Sequence, residues 1–277
     1  MKYARQVLFL TEIEIISVYI DMKIQSFANQ LKRSLILTLV GLFITIASFA
    51  QGLKVAVAAN LQGVIKVLQK DFAKKTGIEI EPIVGSSGNL STQIKNGAPF
   101  DVFLSADMSF PEALFKEGFG AKEPAVYAYG SLIICSTQNI GFENWERLLM
   151  SERVKKIAIA NPTIAPYGKA AEESLKLKGV LGDIKSKIVT GESIAQVNTY
   201  ITTGVVDVGF TTRALVKDAE GKTTLYWKEI DPKSYTPIKQ GIIIIKQSKE
   251  MANAEKFYQY MLSPEAKAIL KEYGYGV

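Results

Sequence analysis

From residue 53 onward, apolar runs of strand length alternate with stretches whose apolar side chains recur at helical spacing, and this rhythm constrains the fold more than any other feature. Leu53–Ala59 is a short apolar run, after which Leu61, Val64, Ile65, Leu68 and Phe72 share one face of a predicted helix. Ile78–Val84 reads as a second strand, closed by Gly85-Ser86-Ser87-Gly88, and a helix over Leu90–Asn96 stops at Gly97. Asp101–Ser105 reads as a third strand. A β-α-β-α-β order predicts a mainly parallel sheet with helices on its faces. Val126–Ser136 is one long β-rich segment, and the pattern then restarts: strand Ile157–Ala160, helix Lys169–Lys178, strand Lys187–Val189, helix Ile194–Thr203, strand Val206–Phe210. A last strand, Gly241–Lys246, precedes helical stretches over 250–262 and 264–272, with Pro264 at a helix start, where proline is tolerated. Two α/β repeats joined by long strands predict an α/β chain of two lobes with a cleft between them: 52–133 with 243–277, and 134–242.

The N-terminal segment has a different character. From Met22, Lys23, Lys32 and Arg33 precede the apolar run Leu35–Ile46, and Ser48-Phe49-Ala50 supplies small residues at the positions a signal peptidase reads. The run is too short to span a bilayer, which takes about 20 residues. Residues 22–50 are therefore expected to be a signal peptide cleaved after Ala50, and residues 1–21 an over-extended N-terminus ahead of the start at Met22. No cysteine stands at the cleavage site to carry a lipid, so a periplasm is the expected location.

Two absences exclude whole classes of chemistry. The chain contains no histidine, which removes Ser-His and Cys-His nucleophile pairs and His-ligated metals. Its one cysteine, Cys135, lies in an apolar run and can form neither an internal disulfide nor a thiolate cluster. The formal charge of +6 is spread along the chain without a basic run, so no nucleic-acid partner is expected.

In open α/β sheets, ligands bind where strands end and helices begin. Four such junctions share one chemistry: Ala58-Ala59-Asn60, Gly85-Ser86-Ser87-Gly88, Asn161 to Gly168 with Tyr167 inside it, and Thr190-Gly191-Glu192-Ser193-Ile194. Each offers backbone N–H groups at a helix start, where the dipole favours an anion. Asn60, Ser87 and Tyr167 add neutral side-chain donors. Taken singly, Gly-Ser-Ser-Gly is a turn, Asn60 an N-cap and Tyr167 a packing aromatic. Four together, two in each half, describe a two-lobed binder of an anion.

These junctions resemble the periplasmic molybdate-binding proteins of ABC transporters. The resemblance rests on Val57-Ala58-Ala59-Asn60-Leu61, Gly85-Ser86-Ser87-Gly88, the run GAPFDVFLSAD over Gly97–Asp107, Asn161-Pro162 with Ala165-Pro166-Tyr167-Gly168, and Gly191 to Gln196. It implies the type II periplasmic-binding-protein fold, each lobe a mainly parallel sheet flanked by helices. It also implies molybdate or tungstate as ligand, held by hydroxyls and amides of both lobes at Ala59, Asn60, Ser87, Tyr167 and Ile194, with Ser86 a weaker candidate. Those residues would contact the oxygens of the oxyanion, not a bare metal ion. No cofactor is implied, the partner is a membrane permease, and the protein is expected to be a monomer. Position 59 is Ala where many relatives carry Ser or Thr, and Thr211 and Thr212 stand where one branch has a tyrosine; both threonines are left out of the expected site. Asp101 and Asp107 are read as caps or interlobe contacts, since a carboxylate repels a dianion. Sulfate is the alternative ligand on the same fold. Iron capture is disfavoured by the missing histidine and the single junction tyrosine. An enzyme would need a base beside Ser87, and the nearest lysine, Lys169, starts a helix.

Overall fold

A computed structural model describes residues 52–277, and between 22 and 32 a helical stretch at 22, 23, 25, 27 and 29–32. The expected cleavage site and residues 1–21 lie outside the described residues. Gly52–Val277 is a unit of its own.

Within it the chain runs through β1 (Leu53–Ala58), a 3-10 turn (Ala59–Leu61), α1 (Ile65–Thr76), β2 (Ile80–Gly85), α2 (Ser87–Lys95), β3 (Val102–Ser105), α3 (Ser109–Lys116) and β4 (Ala125–Gly130). It continues through β5 (Leu132–Ser136), α4 (Trp145–Met150), β6 (Ile157–Ala160), α5 (Pro166–Leu177), α6 (Leu181–Ile184), β7 (Ile188–Gly191), α7 (Ile194–Thr202), β8 (Val208–Thr212), α8 (Ala214–Ala219) and β9 (Tyr226–Glu229). β10 (Ile238–Ile244), α9 (Met251–Leu262) and α10 (Pro264–Glu272) complete it.

Two five-stranded sheets result, in the orders β2-β1-β3-β10-β4 and β7-β6-β8-β5-β9. The orders match position by position. In each sheet a central strand pairs in parallel with two neighbours, and antiparallel strands follow on one side. β1 and β6 are therefore equivalent, and so are β2 and β7. The inner strands β3, β5, β6 and β8 are buried along their whole length, which is why they read as unbroken apolar runs rather than alternating ones. Helices supply the other half of each core. Phe72 of α1 meets Phe257 of α9 edge-on at 5.1 Å on one lobe, and Trp145 meets Phe210 at 5.7 Å on the other.

The β-rich segment read as one piece over Val126–Ser136 is two strands in different sheets, parted at Ser131. Leu132 and Ile133 thus belong to the second sheet, and Ile238–Ile242 to the first. Apolar residues continue on both sides of Ser131 because both strands are core strands, and nothing in hydrophobicity marks the change of sheet.

Candidate functional site

The equivalence of the sheets places the four polar junctions at matching strand ends. β1 runs straight into the 3-10 turn, and β6 into the loop that opens α5. β2 hands over to α2, and β7 to α7. All five predicted residues line one cavity: Ala59, Asn60 and Ser87 from the first lobe, Tyr167 and Ile194 from the second. Ser86 lines it too, with Ala58, Ala106, Ala165 and Pro166, which sequence reasoning did not single out. The space inside it, about 10 Å³ for the centre of a water-sized sphere, is that of a single small molecule or compact ion. Among the described residues no charged side chain lines it.

Local chemistry explains why each donor is available. Ser86 caps α2, its Oγ accepting the Asn89 N–H at 3.4 Å. The next residue, Ser87, then opens the helix with its N–H unused inside it. Its Oγ accepts the Ala106 N–H at 3.0 Å, so its own proton remains to be donated. On the other lobe Ser193 caps α7 by accepting from Gln196 N–H, and Ile194 presents the first amide of that helix. α5 has no side-chain cap at Ala165, and proline at its first turn lacks an N–H, so the Tyr167 amide leads that terminus.

Tyr167 is 1% exposed, and its hydroxyl passes over Gly130, where a Cβ would stand 2.2 Å from the phenolic oxygen. Only glycine leaves that space. The oxygen accepts from Gln240 Nε2 at 3.4 Å and is also hydrogen-bonded to Thr212. Burial pushes its pKa well up, and those two hydrogen bonds pull the other way. The group is therefore a neutral donor at every physiological pH.

Asn60 differs from its expected role. Its Nδ2 donates to Gln240 Oε1 at 2.8 Å and to the Tyr275 hydroxyl at 3.1 Å, which occupies both amide protons. What Asn60 offers the cavity is the backbone N–H of its 3-10 turn. Its Oδ1 has no hydrogen-bond partner among the described residues.

The lobes meet around the cavity. Gly88 N–H donates to Ile164 O at 2.9 Å, and Asn89 Nδ2 donates to Glu192 Oε1 at 2.6 Å, each joining the α2 junction to the second lobe. Asp101 and Asp107 are outside the lining. Asp101 accepts from Lys54 N–H and Ser248 Oγ, tying β1 to the segment after β10, and Asp107 accepts from Ser109 at the start of α3. Thr211 bonds Asn198 on α7, away from the lining, whereas Thr212 supports Tyr167 from behind. Gln240, Tyr127 and Tyr275, all buried, complete that support. Gln240 had a signal in the sequence, a lone amide inside the apolar strand Ile238–Ile244.

The profile of one family, the bacterial extracellular solute-binding proteins, matches residues 53–276. The chain belongs to that family. It is 36% identical over 233 residues to the molybdate-binding protein ModA of Azotobacter vinelandii, spanning 83% of this chain and 92% of that one. To ModA of Rhodobacter capsulatus it is 37% identical over 221 residues, spanning 79% and 86%. The solved structure of the Azotobacter vinelandii periplasmic molybdate-binding protein superposes with a TM-score of 0.78 at 37% identity, covering 81% of this chain and 99% of that one. The fold shared at that score is the two-lobed periplasmic-binding-protein architecture, whose two lobes the alternating repeats predicted and whose family the resemblance implied. The resemblance carried by the four junctions and by GAPFDVFLSAD points to the same relatives.

Proposed function

We propose that this protein is an extracytoplasmic solute-binding protein that captures molybdate, or tungstate, and delivers it to the permease of an ABC transporter. The observation that carries the reading is the convergence of four equivalent helix or turn starts, two from each lobe, on one small cavity lined by neutral residues. A dianion there is stabilised by fixed N–H and O–H donors, each charge-assisted bond contributing on the order of 1.5–3 kcal/mol. With no lysine or arginine in the lining, discrimination rests on size and donor geometry rather than on charge alone.

Binding starts on the first lobe, at the Ala59–Asn60 turn and at Ser87. The second lobe then closes and adds the Tyr167 hydroxyl and the Ile194 amide. The permease reads the closed form, in which residues of both lobes share one rim. The ligand needs no cofactor and undergoes no reaction. Ser87 has no base in the lining, and burial pushes the Cys135 thiol up to about 12, far from a nucleophile's range. The leader over 22–50 exports the protein to the periplasm, where it acts as a monomer.

Calorimetric titration of the protein freed of residues 1–50 with molybdate, tungstate, sulfate and phosphate tests this reading. Submicromolar binding of molybdate and tungstate that persists in excess sulfate is the expected result. A preference for sulfate would keep the site and change the ligand, and failure to bind any of the four would overturn the assignment.

A further inference from the structure

The buried network behind the cavity is organised around one side chain that does not line it. Gln240 is fully buried on β10, two residues after the chain re-enters the first sheet. A carboxamide has one accepting end and one donating end. Here the accepting end faces the first lobe: Oε1 takes the Asn60 Nδ2 proton at 2.8 Å and the Tyr127 hydroxyl proton at 3.2 Å. The donating end faces the second lobe: Nε2 gives a proton to the Tyr167 oxygen at 3.4 Å. The backbone shapes the Tyr127 contact: the β10–β4 register slips between Gln240 and Gly241, leaving Tyr127 as the extra residue of a bulge on β4, and a bulge re-aims the side chain it carries.

We propose that Gln240 is a positioning residue for the oxyanion site, its carboxamide tying the Asn60 turn of one lobe to the Tyr167 hydroxyl of the other and directing the phenolic proton to the ligand. The inference rests on the oxyanion reading above. Polarity is its core. Because Nε2 occupies an acceptor position on the Tyr167 oxygen, that oxygen's own hydrogen is turned away from Gln240, and with the Thr212 hydroxyl also donating to the oxygen the hydrogen is left for the cavity. At the other end, Asn60 is clamped twice, by Gln240 and by Tyr275, whose hydroxyl also donates to Asn60 O at 2.8 Å. The 3-10 turn bearing the Ala59 and Asn60 amides is thereby held at the cavity wall. The orphaned Asn60 Oδ1 fits this account: a buried acceptor without a partner is a cost that stability alone does not explain, and such costs collect where function fixes the geometry.

The test is Gln240→Met, which keeps the length of the side chain and removes both hydrogen-bonding ends, titrated with molybdate alone and combined with Tyr167→Phe. Loss of about tenfold in affinity in the wild-type background, falling to a small residual loss when Tyr167→Phe is already present, is the result expected of two residues acting through one contact. Wild-type affinity in Gln240→Met, or an equal loss in both backgrounds, would overturn the proposal. Since a buried substitution can also impair folding, the wild-type protein is read independently by NMR. The Gln240 side-chain amide resonances are expected to shift on saturation with molybdate although Gln240 does not line the cavity, and resonances that stay in place would equally overturn it. A wild-type protein that binds no oxyanion would instead sink the functional reading itself, an outcome distinguishable from either.

Discussion

A hydroxyl that already accepts a hydrogen bond has its proton left to offer, and both hydroxyls central to the site are in that position. Ser87 accepts from the Ala106 amide, and Tyr167 from Gln240. In the proposed site, Ser87→Ala therefore removes a donor to a buried charge, and it strands the Ala106 N–H. Molybdate affinity is expected to fall by about 1–3 kcal/mol, with a smaller loss of ligand-free stability, read by titration and by thermal unfolding. The tyrosines behind the cavity give a second expectation. Burial raises the pKa values of Tyr127, Tyr167 and Tyr275 above their unfolded values. A group raised on folding contributes stability that is fully present below its unfolded pKa, about 10 for tyrosine, and is lost as the pH rises past it. Chemical denaturation should show a steep alkaline fall in stability starting there, with tyrosinate absorbance appearing only as the chain unfolds. Tyrosinate absorbance developing in the folded protein near the ordinary tyrosine pKa would contradict the buried network.

The elements that deliver those residues were legible to different degrees. β1, β6 and the helices following β7 and β10 announce themselves because a buried strand is an apolar run and a packed helix repeats its apolar face. β9 could not be read that way, since all four of its residues are exposed and no burial pattern marks it. Four short helices, α3, α4, α6 and α8, were likewise unread. The candidate site was legible as a set of junctions, because glycine, serine and a lone tyrosine at helix starts are local features. Its support was not: Gln240 lies 180 residues from Asn60 in sequence, and only the sheet order brings them together. One junction residue has a role that only the packing reveals. A Cβ at Gly88 would lie 2.8 Å from the Ile164 Cβ and 2.9 Å from its Cα, across the interlobe contact. Backbone on one side and a β-branched side chain on the other leave no room to give. Gly88→Ala is thus expected to hold the lobes apart, lowering molybdate affinity about tenfold or more while leaving each lobe's packing intact. Unchanged affinity together with the wild-type decrease in scattering radius on adding ligand would show that closure tolerates the methyl group.

At the scale of the whole molecule, the site exists only when both lobes contribute, so ligand affinity and lobe closure are one equilibrium. A ligand shifts that equilibrium only by what it gains from the second lobe, which in the proposed site is Tyr167 and the Ile194 amide. Contacts between the lobes that never touch the ligand bias the same balance. The bond from Asn89 to the exposed Glu192 is one of them, spanning from α2 to the loop before α7. It forms late, once the lobes are already close, so it should govern escape more than capture. Glu192→Ala is expected to speed molybdate release a few-fold while leaving the association rate and the preference over sulfate unchanged, because interface changes act mostly on dissociation and the donors around the anion are untouched. Stopped-flow measurement of both rates decides it. If association slowed and release did not, Glu192 would belong to the encounter surface rather than to the latch, and closure would be held by the Gly88–Ile164 contact and the cavity donors alone.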